Sequence, residues 1–299
     1  MVGGDKKKII VIGRGFLGSR IAGEFNCEVF GREDVDLLHS KQISGFLDEK
    51  GPDIIVNAAG ITGRPNIDWC EKSIENKIET IRGNIVAPIN LASECAKRNI
   101  FMIHFGSGCI YAGDNNGRGW SEKDTPNFTG SLYSRTKIYS ENILAGEFTD
   151  TVLVIRIRMP IDERPHERNF IDKVAKYEKV LDAPNSMTTV PDMISALEKV
   201  IEKHKTGVLN FVNPGVITPA EIMGLYRDIV KPSHTFEVIT DRQLREFTVA
   251  ARSNCVLDTS ELEGLGVHLP EIHKAVKRCL INYKKVKNDE RNNFSRRAG

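Results

Sequence analysis

The chain has 299 residues, 40% of them hydrophobic and 27% charged, with a formal net charge of +2. That is ordinary globular composition, enough for one large α/β domain or two modest ones. Residues 284–299 carry six Lys/Arg against two Asp/Glu, so the rest sums to −2, and neither nucleic acid nor an anionic membrane is expected as the main partner.

The opening stretch, "MVGGDKKKIIVIGRG", does not read as a signal peptide, because its apolar run is short and enters a Gly-rich turn. No run of 18 apolar residues follows anywhere, so no membrane span is expected. "KKIIVIGRGFLGSRIAGEF" predicts a strand, a tight turn and a helix. "CEVFGR" and "DIIVNAAG" predict the second and third strands. A long helix is expected over 73–98, kinked at Pro88. "NIFMIHFGSG" reads as a buried strand, "GSLYSRTKIYSENILAGE" as a helix and "TVLVIRIRMP" as a further strand. This alternation predicts a Rossmann-like α/β fold, a doubly wound parallel sheet, over residues 1–160. After Pro160 the pattern loosens. "NFIDKVAKYEKV" and "VPDMISALEKVIEKH" look helical, "GVLNFVNP" reads as a strand, and "TPAEIMGLYRDIV" as a helix capped by Thr218. Residues 161–283 are read as a smaller substrate lobe interleaved with the last sheet elements. Residues 284–299 have few apolar anchors and predict a disordered tail.

Six cysteines, at 27, 70, 95, 109, 255 and 279, form no CxxC pair. A reduced, cytoplasmic protein without disulfides follows. The histidines show no ligand spacing, so no metal is assigned.

Gly13, Gly15 and Gly18 form a GxGxxG turn between a strand and a helix, the pattern that lets a pyrophosphate approach backbone N–H groups at a helix N-terminus. The residues between them, Arg14, Phe16 and Leu17, complete that turn, and Ala58, Ala59 and Gly60 end the third strand beside it. NAD-specific folds place an acid at the end of the second strand. Here Arg32 stands there, which favours the 2′-phosphate of NADP(H). Arg14 is a second candidate for that phosphate, and Asp36 for the adenine edge.

Tyr133 and Lys137 lie four residues apart on one helix face. Together with the GxGxxG strand, "NAAG" and Ser107, in that order, they resemble the extended branch of the short-chain dehydrogenase/reductases. The resemblance implies that Tyr133 protonates a carbonyl oxygen as hydride arrives, that Lys137 supports the phenol, and that Ser107 fixes the carbonyl.

"TGRPNIDWCE", "RIRMPI", "NFIDKVAKYEKVLDAPNSMT", "LNFVNPGVITPAEIMGLYRD" and "ARSN" further resemble the plant-type UDP-4-keto-6-deoxyglucose 3,5-epimerase/4-reductases of UDP-rhamnose synthesis. That likeness runs from about Ile9 to Ile281. It implies UDP-4-keto-6-deoxyglucose as substrate and a homodimer formed through the helices around 73–98 and 131–146. It also accounts for "SGCIY": GDP-fucose synthases carry a cysteine at the position of Cys109, where it acts in epimerisation. A 4-ketone acidifies the hydrogens at C3 and C5. A free thiol titrates at about 8.5, lower beside a cation, and can trade those protons. The second proton carrier implied is Lys179, with His166 as the fallback. Arg252 and Asn254 are the implied diphosphate ligands, with Arg158 and Asn169 as secondary substrate contacts. Two alternatives stay open: a single-function reductase related to dTDP-4-dehydrorhamnose reductase, and a non-catalytic NADP-binding subunit such as the one that partners methionine adenosyltransferase.

Overall fold

The computed structural model describes residues 7–298, with side chains described as far as Asp289. Six parallel strands make one sheet: β1 (Ile9–Ile12), β2 (Glu28–Phe30), β3 (Ile54–Asn57), β4 (Phe101–Ser107), β5 (Val152–Ile157) and β7 (Gly207–Asn210), in the order β2-β1-β3-β4-β5-β7. Strands β3, β4 and β5 are buried along their whole length, and their near-continuous apolar sequences suit a sheet covered on both faces. On one face α1 (Phe16–Phe25) and α8 (Val190–Lys203) bury Ile21, Met193 and Leu197 against Val11, Val56 and Ile155. On the other, α2 (Ser40–Lys50), α5 (Ala87–Ala96) and α6 (Leu132–Glu147) bury Leu47, Leu91 and Leu144 against Ile10, Ile55 and Val154. Each such side chain contributes roughly 1.5–3 kcal/mol of burial.

The register pairs Ile12 with Asn57 and Asn57 with His104, so β1 and β3 end level while β4 runs three residues further, to Ser107. The chain leaves β1 for β2 on one side and returns through β3 on the other. The crevice at that reversal is where an open α/β sheet binds its ligand.

The helix expected over 73–98 is α4 (Ile74–Ile81), a π-helical turn (Arg82–Val86) and α5. Pro88 lacks the N–H that would meet the carbonyl four residues back, and the ladder widens into the π turn just before it rather than bending at the proline itself. The second lobe contains α7 (Phe170–Val174), β6 (Lys179–Leu181), α9 (Pro219–Ile229), β8 (Glu237–Ile239) and α10 (Asp241–Arg245). It packs around Ile171, Val180, Ile222 and Leu280. "NFIDKVAKYEKV" is therefore one short helix and a strand, β6, which pairs in parallel with β8.

The last helix, α12 (Ile272–Ala298), continues through the stretch expected to be disordered. Tyr283 donates to Asp172 at 2.6 Å, and the Lys287 ammonium lies 3.9 Å from the same carboxylate. These contacts fasten the start of that stretch to α7. Gly299 lies outside the described residues. Among the described residues no helix is long and apolar enough to cross a membrane.

Candidate active site

Gly13 takes φ +106°, and a Cβ there would lie 2.5 Å from the Ala59 nitrogen. The first turn and the end of β3 meet only because position 13 has no side chain. Gly15 faces open space and caps α1 without a side-chain hydrogen bond, so the first N–H groups of α1 are left for a ligand. A dinucleotide pyrophosphate fits this cradle. Leu17 packs into the core, and the Phe16 ring stacks on His166 of the second lobe, with centroids 4.8 Å apart. His166 is thus occupied at the cofactor turn. Ala59 donates its N–H to Asn57 Oδ1 at 3.1 Å, and Ala58 donates to the Ile12 carbonyl.

At the end of β2, Arg14 pairs with Glu33 and, at 2.7 Å, with Asp34. Its charge is committed. Arg32 is 72% exposed and pairs only loosely with Asp36, at 4.0 Å, so its guanidinium stays open to solvent. Asp36 accepts from the Leu38 N–H through its other oxygen.

The first turn of α6 is held from three directions. Ser131 caps it, the Glu71 carboxylate accepts the Leu132 N–H, and Ser134 donates to the Cys109 carbonyl at 2.6 Å. This fixes Tyr133 relative to the end of β4. Ser107 Oγ accepts the Cys109 N–H at 3.1 Å and acts on the Tyr133 phenol. Burial pushes the Tyr133 hydroxyl well above its ordinary range, the nearby Cys109 adds to this, and the Ser107 contact partly opposes it. The phenol therefore stays protonated, as an acid must. Lys137 is 5% exposed and donates to the Phe105 carbonyl at 2.9 Å. Burial pushes its ammonium down to about 8, with Glu141 pulling the other way. A Cβ on Gly60 would lie 3.6 Å from the Lys137 nitrogen, so this glycine brings the β3 loop against the lysine. Asn84, in the π turn, holds that loop by bonding both the N–H and the carbonyl of Ile61, and reaches Thr136 on α6 at 3.2 Å. The sequence reading did not single out Asn84.

Cys109 is half-buried beside Tyr133. Lys179, the expected second proton carrier, lies at the surface. It sits on β6, 52% exposed, with its ammonium 3.9 Å from Glu237 and 6.0 Å from the Phe247 ring centre. Lys173 on α7 interacts electrostatically with Cys109. Burial, then Arg168 and Arg252, push the Lys173 ammonium down, and a Cys109 thiolate pulls it up. Its sequence signal was its place on the short helix four residues after Asn169.

Two of the expected substrate contacts have structural duties instead. Arg158 is 1% exposed and spends its guanidinium on Gly108, Asn185, Ser186 and Ser253. Asn169 is fully buried, caps α7 and bonds the backbone of Asp162 and Arg164. Neither has a polar hydrogen to spare for a sugar. Arg252 grips Asp68 with two bonds, at 2.8 and 2.9 Å, tying the segment after α10 to the loop after β3. Asn254 bonds Asp241 and Asn185. Arg168 ties to the same loop by donating to Thr62 Oγ1 and the Gly63 carbonyl.

Comparison with known proteins places the chain in a family. The chain is 41% identical over 253 residues to a bifunctional dTDP-4-dehydrorhamnose 3,5-epimerase/dTDP-4-dehydrorhamnose reductase of Arabidopsis thaliana, covering 83% of this chain and 81% of that one. It is 40% identical over 238 residues to a trifunctional UDP-glucose 4,6-dehydratase/UDP-4-keto-6-deoxy-D-glucose 3,5-epimerase/UDP-4-keto-L-rhamnose reductase of the same plant. That match takes in 78% of this chain and 34% of the plant protein. Among solved structures, the L780 UDP-rhamnose synthase of Acanthamoeba polyphaga mimivirus superposes with a TM-score of 0.86 at 32% identity, over 92% of this chain and 99% of that one. A dTDP-4-dehydrorhamnose reductase of Bacillus anthracis, in complex with NADP, shares the fold with a TM-score of 0.79 at 18% identity, over 93% of this chain and 99% of that one. The family model for the RmlD substrate binding domain matches residues 7–285, and to that family this chain belongs.

Proposed function

We propose that the protein is an NADPH-dependent reductase of a 4-keto nucleotide sugar in rhamnose synthesis. We further propose that it epimerises C3 and C5 of that sugar, converting UDP-4-keto-6-deoxy-D-glucose to UDP-L-rhamnose. The observation that carries the reading is the meeting of two proton systems at the end of β4. Tyr133, Ser107 and Lys137 form one, and Cys109 with Lys173 the other.

Bound NADPH supplies the hydride to C4. Tyr133 delivers a proton to the C4 oxygen while Ser107 holds that oxygen in place. Lys137 supports the phenol electrostatically. The same C4 oxygen, polarised by Ser107 and Tyr133, lets C3 and C5 enolise. Inversion then needs proton removal on one face and return on the other. A thiol and a lysine held below its ordinary range, on different elements, suit those two tasks. Arg252 is the candidate for the diphosphate, and Arg32 for the 2′-phosphate of NADPH.

A homodimer belongs to this proposal. Ile74, Ile78 and Ile81 are exposed at helical spacing on α4, and Val86 and Tyr139 are exposed on the adjoining π turn and α6.

The test is incubation with UDP-4-keto-6-deoxyglucose and NADPH, followed by NMR of the product. UDP-L-rhamnose is expected. A 4-reduced sugar with C3 and C5 unchanged would leave only the reductase.

A further inference from the structure

We propose that Tyr177, Lys179 and Phe247 form a pyrimidine-base platform at the outer end of the nucleotide-sugar site. The inference rests on the nucleotide-sugar reading above and extends it to the far end of the substrate.

Only three of the described Phe, Tyr and Trp side chains are exposed, whereas Tyr111, Phe211 and Tyr283 are almost completely buried. Phe247 is 56% exposed and Tyr177 41% exposed, and neither lies on the apolar stripe of α4. They come from separate segments, Tyr177 from the turn before β6 and Phe247 from the loop after α10. Both segments converge on the Arg252–Asp68 pair. Ala250 donates its N–H to Asp68 Oδ1 at 2.9 Å, three residues after Phe247. The Tyr177 phenol interacts electrostatically with Arg252 and Asp68. Lys179 brings its ammonium to 6.0 Å from the Phe247 ring centre.

The order of neighbours is the order of the substrate. Electrostatic interactions run from Cys109 to Lys173, from Lys173 to Arg252 and from Arg252 to Tyr177, and Tyr177 lies two residues before Lys179, which sits beside Phe247. With the sugar at Cys109 and the diphosphate at Arg252, the base falls on the exposed rings. A ring face stacks a base of any type. The Lys179 ammonium and the Tyr177 hydroxyl are donors, and a pyrimidine with two carbonyl oxygens offers the matching acceptors. Uracil and thymine both do so, and the platform takes either.

The test is calorimetric titration of the full chain with UDP, with inorganic pyrophosphate and with NADPH, for wild type, Phe247→Ala and Tyr177→Ala. Each variant is expected to weaken UDP by about five- to a hundredfold, with pyrophosphate and NADPH unchanged. Equal UDP affinity in wild type and both variants overturns the platform. Equal weakening of UDP and pyrophosphate also overturns it, because the loop then acts only through Arg252. A variant that changes the mass in solution but not UDP affinity makes the patch a contact between copies and overturns it too. If wild type binds no UDP at all, the nucleotide-sugar reading itself falls.

Discussion

Replacing Lys137 with Met should stabilise the protein while abolishing reduction. Lys137 is 5% exposed, and burial lowers its ammonium from 10.5 to about 8. That drop corresponds to about 3 kcal/mol by which the folded site disfavours the charged form. In the unfolded chain the lysine keeps its proton up to about 10.5, and in the folded chain it releases it near 8. Between those values the unfolded state binds more protons, so stability rises with pH. The penalty is full below pH 8 and gone above 10.5. Methionine has nearly the length of lysine and no charge, but it forfeits the 2.9 Å bond to the Phe105 carbonyl, about 1 kcal/mol. The net gain expected at pH 7 is about 2 kcal/mol. Urea unfolding of both proteins at pH 7 and pH 10, beside an NADPH oxidation assay, measures it. A Met variant less stable than wild type at pH 7, or a gain that does not shrink as pH rises, would refute the reasoning.

Arg32→Ala should weaken NADPH by roughly 10- to 100-fold and NADH little, because only NADPH offers a 2′-phosphate to this exposed guanidinium. Titration with each cofactor checks this, and equal losses would remove Arg32 from the 2′-phosphate site. Ile78→Glu places a charge in the middle of the exposed α4 stripe and should turn a dimer into a monomer of 33.4 kDa, read by light scattering. A wild-type protein that is already monomeric at micromolar concentration would exclude the interface.

The sheet and its cofactor turn were legible because their signals are local. Apolar runs such as Ile54–Asn57 and the spacing of Gly13, Gly15 and Gly18 leave few other conformations. Tyr133 and Lys137 were legible because α6 alone sets their spacing. The lysine proposed to act with Cys109 was not. Lys173 and Lys179 are six residues apart, and a continuous helix through both leaves the choice open. Only the end of α7 at Val174 and the start of β6 turn Lys173 inward and Lys179 outward. Arg158 and Asn169 misled for a related reason. A buried polar residue near a site reads the same in sequence whether it holds substrate or backbone, and their hydrogen bonds put both in the second role. The helical extension past Lys284 was hidden because its anchors are Tyr283 and Asp172, one turn and one lobe element away.

The central claim is that Cys109 and Lys173 move protons at C3 and C5 while Tyr133 serves reduction. The most direct measurement is NMR of the product formed in D₂O from UDP-4-keto-6-deoxyglucose and NADPH by Cys109→Ser and by Lys173→Met, with Tyr133→Phe beside them. The two epimerase variants should bind NADPH normally, lose deuterium at C3, C5 or both, and leave those centres uninverted in whatever is reduced. Tyr133→Phe should do the reverse, exchanging deuterium without oxidising NADPH. If Cys109→Ser and Lys173→Met both yield UDP-L-rhamnose at the wild-type rate, the thiol and the lysine are packing residues and the account of the epimerase is contradicted.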